Sequence, residues 1–226
     1  MGADLIPDNQ LLTRIARGDT EAFSLLFRRR QGEIYRFALH MTGRPAIADD
    51  VTQDTFLAVL RDAGRYDASR ATVVAWLCGI ARHHVLRRFE RERSMPTIEM
   101  DDELVRGDSM LVADQDALSD LTRAEQVDAV REAVMTLPVR YREAVVLCDL
   151  QELSYADAAA ALGCALGTVR SRLHRGRALL ASKLGIDREP SKSDRPATAE
   201  DPDERRRDRV RPIEFQRAAR IVRRMA

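Results

Sequence analysis

Apolar residues that recur at three- and four-residue steps are the feature that most restricts how this chain can fold. In the stretch EAFSLLFRRRQGEIYRFALHMTG, residues 21–43, the apolar side chains follow this spacing and Gly43 ends the pattern. Such spacing places apolar side chains on one face of an α-helix. The spacing returns in residues 46–64, 71–93 and 121–149, whereas the alternation typical of strands is nearly absent. The pattern therefore predicts an all-α protein.

Each predicted helix has a candidate core face, formed by the apolar residues that share one side. These positions are the ones that a helix buries against its neighbours. The predicted core faces consist of Val51, Phe56, Val59 and Leu60, then of Trp76, Leu77, Ile80 and Leu86, and in the later helices of Val127, Val130, Val134 and Leu137.

Two changes in composition divide the chain. Residues 95–120 contain eight acidic side chains and one arginine, with weak periodicity, which is typical of a flexible acidic linker. Residues 187–226 are polar and proline-containing, and only their last part, PIEFQRAARIVRRMA, could form a short basic helix. We therefore predict two small helical domains, residues 8–94 and 121–186, followed by a polar tail of open role.

The charge of the chain is distributed unevenly along the second domain. The formal net charge is only +1, yet no Asp or Glu occurs between Ala158 and Ile186. That stretch contains Arg170, Arg172, Arg175 and Arg177. Because a local excess of one charge usually serves a partner of the opposite charge, the stretch indicates an anionic partner.

A helix-turn-helix is predicted for residues 153–180, which read LSYADAAAALGCALGTVRSRLHRGRALL. In this motif Ser154 is a candidate N-cap, and Gly163 lets the chain turn. In the second helix, residues 166–184, steps of 100° place an apolar stripe on one side and a polar face on the other. The polar face is suited to the major groove of DNA. A solvated surface helix is the alternative, but such helices usually interleave acidic residues with their arginines. The apolar stripe is Val169, Leu173, Gly176 and Leu180, and the polar face is Thr168, Ser171, His174 and Arg175, flanked by Arg170 and Arg172.

Patterns typical of enzymes and metal sites are missing from the sequence. It has no phosphate-binding glycine loop, nucleophile elbow or His-Glu-x-x-His motif, so we expect neither catalysis nor a cofactor. Cys78 with His83 and His84 makes an incomplete zinc ligand set, and a buried cysteine is the better interpretation. The three cysteines lack Cys-x-x-Cys spacing, and the chain start has no secretory pattern. We therefore expect a cytoplasmic protein without membrane insertion.

Both predicted domains resemble parts of a known family. Residues 137–180 resemble domain four of bacterial sigma factors, whereas GRPAIADDVTQDTF and AWLCGIARHHVLRRF resemble their domain two. With no domain three between them, the chain is similar to the extracytoplasmic-function group. The resemblance implies a protein that binds core RNA polymerase through the β′ and β subunits, recognises promoter DNA and promotes strand opening. It also implies an anti-sigma factor as a candidate partner.

The resemblance carries over a polymerase-binding site. Asp50, Gln53 and Asp54 match the family motif that docks on the clamp helices of the β′ subunit. A carboxylate-rich patch suits a basic coiled coil. The alternative is that Asp49 and Asp50 only cap a helix and interact with its dipole.

A site for the minus-ten promoter element is expected on the loop before AWLCGIARHHV and on that helix. The segment Tyr66–Val73 would shape a pocket for a base taken out of the stack, at a cost of a few kcal/mol. Trp76 matches a family tryptophan, but its apolar neighbours favour a core role. Many members have Asn at position 83, so the histidine here leaves the preferred base open. The residues expected to bind this element are Arg82, His83, Arg87 and Arg88.

The site for the minus-thirty-five element falls on the helix-turn-helix. The family contacts match Arg170, Ser171, His174 and Arg175, and Thr168 and Arg172 lie beside them on the same face. Ala165 stands where Ser or Pro is frequent, so we expect this helix to lack a side-chain cap. A helix-turn-helix regulator that does not bind core polymerase stoichiometrically is the alternative, but it explains only residues 121–186.

Overall fold

The computed structural model describes residues 6–94 and 123–185. Within these two segments all regular structure is helical, which confirms the predicted all-α class. The predicted linker, residues 95–120, and the predicted tail, residues 187–226, lie outside the described residues. The first segment contains α1 (Asp8–Ile15), α2 (Thr20–Thr42), α3 (Pro45–Asp62), a 3₁₀ turn (Ala63–Arg65) and α4 (Val73–Ser94). The second contains α5 (Arg123–Met135), α6 (Val139–Val145), a π-helical turn (Val146–Leu150), α7 (Tyr155–Leu162) and α8 (Leu166–Lys183).

Local sequence signals set the ends of the helices. Gly43 ends α2 and Gly163 ends α7, both in the left-handed region with φ of 67° and 62°. Ser154 caps α7, because its Oγ accepts a hydrogen bond from the backbone nitrogen of Asp157 at 3.0 Å. Ala165 precedes α8 and provides no side-chain cap, as expected from its methyl group.

Most residues of the predicted core faces are buried, but Trp76, Ile80 and Leu86 of α4 are only half-buried and one residue of α3 is exposed. Val51, Phe56 and Val59 are buried as predicted, but Leu60 is 47% exposed, and its assignment to the core was wrong. Leu60 lies next to Leu57, which is 49% exposed, on the side of α3 that faces solvent. The spacing of three and four residues places Leu60 only at the margin of the apolar stripe of α3. The neighbouring helices do not cover this margin.

The two predicted domains share one apolar core. Helix α4 lies against α7, and α2 contacts α5 and the π-helical turn. The connected core runs from Leu11 in the first domain to Leu184 at the end of the second. The periodicity predicts the buried face of each helix, but it does not predict that the two domains contact each other.

Candidate functional site

Helix α8 presents the polar face that the sequence predicts. Its apolar stripe is buried against α6 and α7, and this orients the opposite side toward solvent. Thr168 and Arg172 are half-buried at the margins of that outer side. The four exposed residues of the predicted minus-thirty-five site are Arg170, Ser171, His174 and Arg175. A continuous surface of this kind can enter a DNA groove without rearrangement of the helix.

Arg177 is set apart from the other arginines of α8 by an ion pair. Its Nη2 and Nε lie 2.5 and 3.0 Å from the two carboxylate oxygens of Asp149 in the π-helical turn. Asp149 is itself buried. The stretch without acidic residues is therefore partly neutralised by a carboxylate from another element, and the basic surface is smaller than the sequence indicates.

A second basic residue joins the outer face of α8 from α6. The guanidinium carbon of Arg140 lies 4.7 Å from the centre of the Tyr141 ring, a cation–π geometry. Hydrogen bonding from Arg175, the largest cause, lowers the pKa of Tyr141. Arg140 and Arg175 therefore flank the same tyrosine. Arg140 was not among the predicted site residues, because only the tertiary contact of α6 with α8 brings it to this face.

The four residues predicted for the minus-ten element do not all face solvent. His83 and Arg87 on α4 are exposed. Arg82 is half-buried, and its Nε lies 2.6 Å from Oε1 of Glu143 in α6. Arg88 is also half-buried and forms ion pairs with two carboxylates of α3. The structure thus places two of the four at the surface and the other two in ion pairs within the protein.

A cavity of about 1170 Å³ lies beside the exposed part of α4, between that helix, the preceding loop and α7. The predicted pocket segment Tyr66–Val73 contributes part of its lining, as do His83 and Arg87. Trp76 is half-buried and contacts Tyr66 edge-to-face with ring centres 5.6 Å apart, and it also lines the cavity. The opposite wall comes from the first helix of the helix-turn-helix.

Helix α3 carries the predicted polymerase-binding residues on one exposed face. Asp50 and Gln53 are exposed and Asp54 is half-buried. Leu57 and Leu60 continue this face along the helix, and a pair of exposed leucines beside carboxylates is suited to a protein partner. Leu57 was not among the predicted site residues, and Leu60 was assigned to the core because its spacing also fits a core stripe.

The alternative role of the α3 carboxylates as helix caps does not fit the structure. Helix α3 begins at Pro45 after Arg44, which forms no side-chain cap, and its first turn contains no acidic residue. Asp49 and Asp50 therefore lie beyond the first turn, where the effect of the helix dipole fades.

Arg88 connects the carboxylates of α3 to helix α4. Its Nη1 lies 3.3 Å from Oδ2 of Asp50, and its Nη2 lies 3.3 Å from Oδ2 of Asp54. Nδ1 of His84 lies 3.8 Å from the same Asp54 oxygen. Burial is the largest cause that lowers the pKa of His84, while Asp54 acts in the opposite direction. The predicted polymerase and DNA sites of the first domain are therefore adjacent and share charged contacts.

The chain combines a helix-turn-helix that has a basic outer face with a helical domain that has an acidic and apolar face. These two features define a class of helical DNA-binding proteins with a second interaction domain. Two family models match this chain. The model described as Sigma-70 region 2 matches residues 26–95, and the model described as Sigma-70, region 4 matches residues 128–180.

Curated relatives match most of the chain. The ECF RNA polymerase sigma factor SigM of Mycobacterium tuberculosis is 41% identical over 180 residues, which are 79% of this chain and 85% of the relative. The ECF RNA polymerase sigma factor SigC of the same species is 34% identical over 179 residues, 77% of this chain and 92% of the relative.

Solved structures share the arrangement of the helices. CnrH in complex with the cytosolic domain of CnrY matches 80% of this chain and 99% of that chain, with a TM-score of 0.58 and 25% identity. The sigma factor RpoE of Bartonella quintana, in complex with the anti-sigma factor NepR, matches 74% of this chain and 98% of that chain, with a TM-score of 0.55 and 25% identity.

The chain belongs to the extracytoplasmic-function group of the sigma-70 family of RNA polymerase sigma factors. It is thus a promoter-recognition subunit that binds core polymerase and promotes transcription initiation. The region 2 match covers the domain that a plain helix-turn-helix regulator leaves unexplained, so that alternative is not retained. Among the described residues, no helix is both long and apolar enough to span a bilayer.

Proposed function

We propose that three exposed faces of this sigma factor divide its work, one on each of α3, α4 and α8. The observation that carries this proposal is the outer face of α8, where four polar side chains point away from a buried apolar stripe. Arg170, Ser171, His174 and Arg175 contact the minus-thirty-five element, with Thr168 and Arg172 at its margin. Arginine suits this role because its planar fork can bind guanine or clasp a phosphate.

The face of α3 docks on the clamp helices of the β′ subunit. Asp50, Gln53 and Asp54 provide charge and hydrogen-bonding groups, and Leu57 and Leu60 provide apolar area at the centre of the contact. Apolar anchors inside a polar rim are the usual basis of a stable interface.

Helix α4 holds the displaced strand at the minus-ten element. His83 and Arg87 line the cavity beside α4 and are exposed, so they are placed to meet a base and a phosphate. Arg82 and Arg88 contribute once their present carboxylate partners are exchanged for phosphate, since a guanidinium binds both groups in the same way.

The division of roles is tested with purified core polymerase and a library of promoter DNA, which also reveals the preferred promoter sequence. Arg175→Ala should lower transcription from the selected promoter by roughly tenfold, the value of one good base or phosphate contact, and leave core binding intact. Asp54→Arg should first weaken core binding. Lys183→Ala is the matched control, because Lys183 is an exposed cation at the far end of α8. If Arg175→Ala and Asp54→Arg each lower promoter transcription and core binding to the same extent, the proposed division of roles is wrong.

We further propose that the protein acts in the cytoplasm, without catalytic activity or cofactor of its own, and that an anti-sigma factor controls it. The match to RpoE, solved with the anti-sigma factor NepR, supports a partner of this kind. A protein that co-purifies with the chain from cells should inhibit its transcription when added back to the purified system. A partner without effect on transcription would contradict control of this type.

A further inference from the structure

The face of α3 that carries Leu57 and Leu60 stays exposed to solvent with all the described residues in place. The two leucines are 49% and 47% exposed. Asp50 and Asp54 begin the same face, and their side chains are 59% and 43% exposed. Because exposed apolar area here continues directly from carboxylates, the face fits a partner that is both basic and amphipathic.

The sequence of this chain contains a segment with that chemistry, PIEFQRAARIVRRMA, residues 212–226, called here the tail segment. It has four arginines and one acidic side chain, and five more arginines precede it in residues 205–211. Its apolar residues recur at steps of three, four and three, which predicts a helix with one apolar face. The residues of this predicted face are Phe215, Ala218, Val222 and Met225.

The tail segment is joined to the described part of the chain by a connection long enough to reach α3. The described part ends at Gly185, and residues 186–211 form the connection. A chain of this length spans at most about 90 Å, whereas a compact body of the size of the described part is about 40 Å across. A tether of this kind gives the tail segment an effective concentration on the order of 1 mM at the face of α3.

The apolar residues of the tail segment favour α3 over DNA as its partner. DNA phosphates would pair with the arginines, but they would leave Phe215 and Val222 in water. The face of α3 offers carboxylates for the arginines, and it offers Leu57 and Leu60 to bury the apolar side chains. The face of α3 therefore matches both features of the tail segment, whereas DNA matches only the charge.

We propose that the tail segment docks on the face of α3, with its apolar residues against Leu57 and Leu60, and that it competes with core polymerase for this face. The docking rests on charge and exposed apolar area, whereas the competition rests on the proposed role of α3 in binding the β′ subunit. With a Kd of about 0.1–0.5 mM for the docking contact, a tether that supplies about 1 mM weakens polymerase binding about threefold to tenfold. Core polymerase still binds, and it displaces the tail segment when it does.

The docking is tested on the full chain by NMR of labelled leucine methyl groups. Phe215→Gln with Val222→Gln removes apolar area from the tail segment and leaves its charge unchanged. The methyl signals of Leu57 and Leu60 should therefore shift in this double variant relative to wild type. Gln216→Ala is the matched control, because Gln216 lies on the opposite side of the predicted helix and should leave these signals in place.

The competition is measured as the affinity of the same chains for purified core polymerase. The double variant should bind about threefold to tenfold more tightly than wild type, and Gln216→Ala should bind like wild type. The difference between the double variant and wild type should decrease as salt is added, because salt screens the attraction between the arginines and the carboxylates of α3.

The outcomes separate this proposal from the proposed role of α3. If the methyl signals of Leu57 and Leu60 do not change while Asp54→Arg weakens polymerase binding, the docking is wrong and the role of α3 stands. If the signals change but the double variant binds polymerase no more tightly, the competition is wrong. The proposed role of α3 is then also wrong if Asp54→Arg binds polymerase like wild type.

Two other partners of the tail segment give different results. If the signals of Leu57 and Leu60 depend on protein concentration, the tail segment docks on a second copy of the chain, and the proposal is wrong. Arg220→Gln with Arg224→Gln tests for DNA, with double-stranded DNA of mixed sequence as the probe. If this variant loses affinity for the DNA while its leucine methyl signals match those of wild type, the tail segment binds DNA and does not dock on α3.

Discussion

At the scale of single residues, the environment of an arginine determines whether it is available to bind DNA. Arg170 and Arg175 are exposed on the outer face of α8, whereas Arg177 is two helical turns further along the chain from Arg170 and pairs with Asp149. Identical residues in one basic stretch therefore have different roles. Arg170 and Arg175 are available to bind DNA, whereas Arg177 stabilises the fold of domain four.

We expect the two roles to separate in a pair of variants. Arg177→Gln leaves the buried carboxylate of Asp149 without its cation and should lower the free energy of unfolding by about 2–4 kcal/mol. Arg175→Gln should change stability by less than about 1 kcal/mol but weaken promoter binding and its salt dependence. Urea unfolding and DNA titrations at several salt concentrations measure both effects. A larger stability loss for Arg175→Gln would contradict the assignment.

Gly176 is required by a close approach of two helices. A Cβ at this position would lie 2.8 Å from Cγ2 of Val145 and 3.3 Å from the backbone oxygen of Tyr141. Gly176→Ala should therefore destabilise the protein by about 1–3 kcal/mol, although Ala favours a helix. Gly167→Ala in the same helix meets nothing within 4 Å and should stabilise it by up to about 1 kcal/mol. Thermal unfolding of both variants measures these changes in stability. If Gly176→Ala and Gly167→Ala change stability in the same direction, the expectation is wrong.

At the scale of helices, the sequence predicts more about each element than about its partners. The spacing of apolar residues predicts the helices and most buried positions, and Ser154 and Gly163 predict the ends of α7. The same signals could not predict the pair of Arg82 with Glu143, because 61 positions separate these residues in sequence. Local periodicity determines which face is apolar, whereas contacts between domains depend on the shape and charge of distant segments.

A buried histidine makes the contact of α2 with α5 sensitive to acid. Burial, followed by repulsion from Arg131 of α5 and Arg36 of α2, lowers the pKa of His40 to about 4. Because the unfolded chain binds this proton near pH 6.5 and the folded chain only near pH 4, stability should fall as pH decreases through that range. The loss should approach about 3 kcal/mol at pH 4.

His40→Gln should remove this part of the pH dependence, as measured by urea unfolding between pH 4 and 7. The matched control is His174→Gln, which replaces an exposed histidine of α8 that lies outside the contact of α2 with α5. If wild type and His40→Gln lose stability in parallel over this range, the assignment to His40 is wrong.

At the scale of the whole molecule, the shared core makes the two domains one cooperative unit. We expect a single transition in scanning calorimetry, with equal calorimetric and van't Hoff enthalpies. Gly79→Leu places a large side chain against the backbone of Ala161 and should force α7 away from α4, which would split unfolding into two transitions. Gly32→Leu is the matched control, because a Cβ there meets only the flexible end of Arg36 at 3.4 Å, so one transition should remain. A single transition in Gly79→Leu would mean that the domains fold together without the contact between α4 and α7. Two transitions in wild type would mean that the shared core does not couple the two domains.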